Sequence, residues 1–156
     1  MPLNIGDIAP DFTLRDQNNE EITLSSFRGS KVVLLVFYPW AFTGVCTNEL
    51  GVVRDNIGDF SNDEVEILTV SVDSSYAHKI FAEREDFEFH LLGDFWPHGV
   101  VAQAYGVFND QVGVSNRGTF LVDKQGVIRF AEMNSLGEGR DANVWREQIQ
   151  KVLAEG

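Results

Sequence analysis

Seven consecutive apolar residues, Val32-Val-Leu-Leu-Val-Phe-Tyr38, run directly into Pro39. A strand with one wet face alternates apolar and polar side chains, so an unbroken, β-branched run of this kind belongs to a strand covered on both faces. It predicts a central strand of an α/β sheet, ended by Pro39, which has no N–H with which to continue a ladder. Beyond the proline the period changes. Leu50, Val53, Ile57 and Phe60 recur at helical spacing from about Thr43 to Ile57, with Asn48, Glu49, Arg54 and Asp55 between them.

The remaining segments extend this pattern. Phe12–Arg15 and Glu21–Leu24 read as two short strands joined by a polar turn. Glu64–Asp73 reads as a second inner strand, Ala77–Glu85 as a helix with Ile80 and Phe81 facing inward, and Val100–Tyr105 as a short helix. Thr119–Asp123 and Val127–Met133 predict a hairpin about Lys124-Gln-Gly126, the glycine being free to take a positive φ. Trp145, Ile149, Val152 and Leu153 form one face of a C-terminal helix. A βαβ unit followed by an antiparallel hairpin and a closing helix predicts an α/β, thioredoxin-like fold, with a central mixed β-sheet flanked by helices and an N-terminal β-hairpin. No repeat or linker interrupts the chain, and 156 residues with 44% apolar content suit one core, so residues 1–156 are expected to form a single domain.

A net charge of −12 argues against a protein that tracks phosphates or binds an anionic membrane surface. The Val32–Tyr38 run is far short of the roughly 18–20 residues that span a bilayer. The opening Met-Pro-Leu-Asn-Ile-Gly-Asp has neither the basic start nor the apolar stretch of a secretory signal, so a cytoplasmic location is expected.

Cys46 is the only cysteine. It excludes an intrachain disulfide and a multi-cysteine zinc site, so any thiol chemistry must use this one sulfur. It lies where a buried strand hands over to a helix, the place where open α/β sheets bind ligands. In the first helical turn, unpaired N–H groups and the helix dipole favour a thiolate over a thiol. Thr43, three residues earlier, falls on the same face, and its hydroxyl can both donate and accept. Pro39 stiffens the approach and helps to shield the sulfur. Arg117, just before the Thr119 strand, is a candidate cation for the thiolate and for charge on a leaving oxygen. Each residue has a blander reading: an inert core cysteine, a helix N-cap worth on the order of 1 kcal/mol, a strand terminator and a surface arginine. A sulfur sealed in the apolar interior would count against a nucleophile.

His78, His90 and His98 lack metal-ligand spacing, although a histidine distant in sequence could still form a Cys–His hydrolase dyad. Trp40, Phe42, Phe95 and Trp96 could furnish the partner surface of a redox sensor or holdase, although core packing is the commoner use of such aromatics. Gly137-Glu-Gly-Arg140 has no Walker pattern and reads as a flexible lead into the last helix.

Pro39-x-x-x-Thr43-x-x-Cys46 followed by Glu49 resembles the active-site motif of the peroxiredoxins. Ala9-Pro-Asp-Phe-Thr-Leu14, Phe27-Arg-Gly29, Asp94-Phe-Trp-Pro97, Ala104-Tyr-Gly-Val107 and Arg117-Gly-Thr-Phe-Leu-Val-Asp123 look like further parts of that family, most of all of its short one-cysteine kind from mycobacteria. The resemblance implies a thiol-dependent peroxidase acting on hydrogen peroxide and organic hydroperoxides, with peroxynitrite as a further candidate. It implies that Cys46 is the peroxidatic cysteine, that Thr43 binds the peroxide, that Pro39 shields the site and that Arg117 activates sulfur and substrate. Glu49 resembles a family position whose carboxylate or amide orients the arginine; an exposed helix acid is the alternative. The sequence holds no resolving cysteine, and the long C-terminal extension of some one-cysteine members is not expected. The sulfenic acid must then be reduced by an external thiol, or over-oxidise. By similarity that thiol is mycothiol with a mycoredoxin, or a thioredoxin. No metal, haem or flavin cofactor is implied, and family habit predicts a homodimer or higher homo-oligomer with no nucleic-acid or membrane partner.

Overall fold

The strand that the apolar run predicts is β3, Val32–Phe37, and all six of its residues are buried in the computed structural model, which describes residues 2–155. Its alternation is hidden because both faces are covered. Val32, Leu34 and Val36 point into one apolar cluster, together with Tyr38 just beyond the strand, while Val33, Leu35 and Phe37 point into another. Each fully buried side chain of this size contributes roughly 1.5–3 kcal/mol.

The chain begins with the expected hairpin, β1 (Thr13–Arg15) and β2 (Glu21–Thr23), paired antiparallel. After β3 come α1 (Gly44–Asp55), β4 (Val65–Ser71), α2 (Ser75–Glu85), β5 (His90–Gly93) and α3 (Val100–Ala104). A two-stranded ribbon, β6 (Phe108–Asn109) and β7 (Val114–Ser115), precedes β8 (Arg117–Val122), β9 (Ile128–Asn134) and α4 (Ala142–Glu155). The main sheet has the order β2-β1-β5-β4-β3-β8-β9. β3, β4 and β5 run parallel, and β8 joins β3 antiparallel, so the sheet is mixed as expected. The fold is α/β and thioredoxin-like, with helices on both faces.

α1 and α4 pack on the first cluster through Leu50, Val53, Trp145 and Ile149, and α2 adds Phe81. α3, with Val101 and Ala102, and the aromatic pair Phe12 and Tyr105 cover the second. The β8–β9 turn forms as predicted, with Gly126 at φ 84° and the Asp123 carboxylate accepting from Gln125 and Val127.

Three expectations need correction. β5 has no counterpart in the sequence pattern: four residues are too few to show a period, and only pairing with β4 and β1 defines them. Ile80 is 51% exposed, and the inner face of α2 consists of His78, Phe81 and Ala82. Arg117 does not precede the hairpin strand but opens it. Among the described residues, no helix is long and apolar enough to cross a membrane.

Candidate active site

Past β3 the chain turns through residues 38–43 before α1 begins. Tyr38 still donates its N–H to the Val70 carbonyl (2.9 Å), and buried Pro39 ends the ladder. Ala41 N–H donates to Asp73 Oδ2 (2.9 Å). Phe42 then adopts a left-handed conformation with φ 70°, a state that costs a non-glycine residue about 1–3 kcal/mol and needs support from its surroundings. Support comes from α2, since the Phe42 ring packs on Phe81 with centroids 5.0 Å apart and lies beneath the Arg84 guanidinium at 5.2 Å.

Thr43 occupies the N-cap position of α1, but its side chain does not cap the helix. Its hydroxyl instead donates to the Trp40 carbonyl (3.0 Å), leaving the oxygen lone pairs and the first-turn N–H groups of α1 available. The simple N-cap reading therefore fails.

Cys46 is the third residue of α1 and has no exposed surface; it lies in the apolar cluster with Tyr38, Ala41 and Leu50. Burial alone would suit an inert core cysteine. The electrostatic surroundings do not. Glu49, one turn further along the same helix face, is only 7% exposed, which overturns the reading of it as a solvated acid. Its Oε1 accepts from Arg117 Nη1 and from Arg140 Nη2, both at 2.8 Å, and its Oε2 accepts from Arg140 Nε (2.9 Å) and the Arg140 backbone N–H (2.8 Å). Arg117 is 2% exposed rather than a surface arginine, and its Nε donates to the Leu136 carbonyl at 2.8 Å. Its Nη2 has no partner among the described residues. Two guanidiniums and one carboxylate give the cluster a formal charge of +1. An unmatched charge away from water is costly, so the cluster favours an anion beside it.

Arg140 is the residue that sequence reasoning missed. The supposedly flexible Gly137–Arg140 lead delivers a side chain that grips Glu49 with two prongs, donates to the Gly118 carbonyl and Thr119 hydroxyl (both 3.0 Å) and lies 5.7 Å over the Trp145 ring. Its sequence context carries no signal of this, because Glu49 lies 91 positions away.

None of the histidines has Cys46 as a polar partner among the described residues. His78 bonds Tyr38 and Ser71, His90 bonds Asp16, and His98 bonds the Gly113 carbonyl, so no Cys–His dyad forms. Trp40, Phe42, Phe95 and Trp96 are all exposed, Trp96 by 82%, which corrects the expectation of core packing.

Residues 5–131 match the AhpC/TSA family. The chain belongs to the AhpC/TSA family. It is a peroxiredoxin, hence a thiol-dependent peroxidase, and its lone cysteine fits the one-cysteine type. It is 55% identical over 152 residues to alkyl hydroperoxide reductase E of Mycobacterium tuberculosis, covering 97% of this chain and 99% of that protein. Among solved structures, the reduced 2-Cys peroxiredoxin of Plasmodium vivax superposes with a TM-score of 0.88 at 30% identity, covering 99% of this chain and 84% of that one. The peroxidoxin BcpB of M. tuberculosis superposes with a TM-score of 0.82 at 29% identity, covering 97% of each chain. Peroxiredoxins act on peroxides with a thiol reductant and form oligomers.

Proposed function

We propose that Cys46 is the peroxidatic nucleophile of this peroxidase, with Thr43, Arg117 and Pro39 forming its site and Glu49 orienting the arginine. The observation that carries this reading is the buried cluster of net +1 charge built on Glu49, one helical turn after Cys46, with Arg117 Nη2 unengaged among the described residues. The thiolate attacks the terminal oxygen of ROOH, an S–O bond forms as the O–O bond breaks, and the electron pair leaves with RO⁻, which takes a proton to give ROH. Arg117 Nη2 is the donor suited to charge on sulfur and on the departing oxygen, and the Thr43 hydroxyl aligns the peroxide. Buried Pro39 keeps water from the approach.

The product, Cys46–SOH, is reduced from outside. One external thiol displaces water to form a mixed disulfide, and a second thiol attacks that disulfide to release Cys46. Cys46 has no exposed surface, so the peroxide reaches it through a small local movement, and the bulkier external thiol requires the first turn of α1 to open. Mycothiol with a mycoredoxin, or a thioredoxin, supplies the thiol. Hydrogen peroxide, organic hydroperoxides and peroxynitrite are the substrates. The lone thiol suits a reducing compartment, the cytoplasm. Residues 1–156 act as one domain. Exposed Trp40, Phe42, Phe95 and Trp96 supply apolar surface for pairing into a homodimer or larger homo-oligomer.

Stopped-flow tryptophan fluorescence with several hydroperoxides tests this reading. Cys46→Ser should consume no peroxide, whereas Thr43→Val and Arg117→Ala should each slow the oxidation about 100-fold. Wild-type consumption by Cys46→Ser would overturn the assignment.

A further inference from the structure

Behind the loop over Cys46 lies a buried polar group that the reaction scheme does not use. Ser71, the last residue of β4, donates its hydroxyl proton to Asp73 Oδ2 at 2.6 Å. The same oxygen lies 2.7 Å from His78 Nε2. A carboxylate only accepts, so the serine proton is committed to Asp73, and Ser71 Oγ must accept from His78. His78 is therefore the Nε2–H tautomer, sharing that proton between Ser71 Oγ and the Tyr38 hydroxyl at 3.1 Å. Its Nδ1 is buried and has no hydrogen-bond partner among the described residues. Burial keeps the ring neutral, lowering its pKa from 6.5 to about 4 against the opposing pull of the Asp73 carboxylate and the Leu91 backbone.

We propose that His78 is a positioning residue for the peroxide step, bracing the Tyr38–Thr43 loop through Tyr38, Ser71 and Asp73 so that the Thr43 hydroxyl is held in place. This rests on the roles given above to Cys46 and Thr43. Both flanks of the loop tie into one network: Tyr38 through its hydroxyl, and Ala41 through its N–H on the Asp73 oxygen that also takes the Ser71 proton. Between those anchors lies Trp40, whose carbonyl receives the Thr43 hydroxyl. Three residues after His78 on the same face of α2, Phe81 packs against Phe42 and supports its left-handed backbone. Packing alone does not call for an imidazole here. A leucine or phenylalanine would fill such a space without leaving a buried nitrogen unpaired, so what the imidazole contributes is geometry.

The test compares His78→Ala, His78→Gln, Tyr38→Phe and Cys46→Ser in full-length protein. The glutamine amide can restore a donor where Nε2–H stands. His78→Ala should slow hydrogen peroxide oxidation of Cys46 by about 10- to 100-fold, the scale expected when a positioned group shifts by about 1 Å. Amide hydrogen exchange at Ala41 and Phe42 should accelerate while Leu34 and Leu35 in β3 keep their wild-type protection. His78→Gln should recover both readouts to within about threefold, and Tyr38→Phe should show an intermediate loss, since one of the loop's two anchors remains. A wild-type oxidation rate in His78→Ala overturns the inference, as does a glutamine variant as slow as alanine or a loss of protection throughout β3. If His78→Ala does not fold, the glutamine and Tyr38→Phe variants decide by the same criteria. Turnover by Cys46→Ser would instead sink the underlying site assignment, so the two failures are distinguishable.

Discussion

Glu49 holds one negative charge between Arg117 and Arg140, and the three side chains are buried together. Removing the carboxylate leaves two cations facing each other out of water. Breaking a buried pair in this way costs about 3–5 kcal/mol, so Glu49→Gln should lower stability by about that amount in urea unfolding. It also separates two electrostatic effects at Cys46. If total positive charge alone set the rate, Glu49→Gln would oxidise faster; if the orientation of Arg117 governs, it should oxidise roughly 10-fold more slowly, which is the expected stopped-flow result. Arg140→Met neutralises the surplus charge and should also slow oxidation. Arg140→Lys should not restore the rate, because an ammonium cannot reproduce the two-pronged grip on Glu49. Thr43 and Cys46 were legible as a pair because their relation is local, three residues on one helix face. Arg140 was not, because its partner is close only in space.

At the scale of elements, α2 is more than a cover for the sheet, since it supplies both His78 and Phe81 to the loop above Cys46. Its histidine has a consequence for stability. The unfolded chain takes up a proton on His78 near pH 6.5, whereas the folded protein resists protonation until about pH 4. The contribution is complete above about pH 6.5 and is lost as the pH falls toward 4, by roughly 3 kcal/mol over that window. Urea unfolding at pH 7 and pH 4.5 should show this loss in the wild type and a smaller one in His78→Gln; equal slopes would contradict it. The unanticipated strand β5 adds a second constraint. A Cβ at Gly93 would come within 2.8 Å of the Asp73 carbonyl oxygen, a backbone atom that cannot swing aside. Gly93→Ala should therefore displace Asp73, loosen its hold on Ala41 and slow peroxide oxidation, as measured by stopped flow. The strand escaped prediction because His90–Gly93 shows no period of its own and exists through its neighbours.

Over the whole molecule a net charge of −12 surrounds a buried site of local positive charge. The outer field repels anions at long range, and salt screens it with a Debye length of about 10 Å at 0.1 M. Oxidation by an anionic peroxide, such as a fatty-acid hydroperoxide, should therefore accelerate as ionic strength rises from about 0.01 to 0.3 M. Oxidation by neutral hydrogen peroxide should barely change. An equal response of the two substrates would show that the distant charges play no part in access. The full burial of Cys46 arises on one face of the sheet, where α1 packs it into the apolar cluster with Tyr38, Ala41 and Leu50.

The fold class, the order of most elements and the Pro39–Thr43–Cys46 core of the proposed site are written in local patterns: an unbroken apolar run, a change of period and a three-residue spacing. Such features act within a turn or two of the backbone, so they can be read along the chain. The pairing of β5, the inward turn of His78 instead of Ile80, the Thr43 bond to Trp40 and the clamp of Arg117 and Arg140 on Glu49 were decided only by the tertiary structure. They depend on charges and donors brought together from distant segments, where exclusion of water makes each partner's position matter.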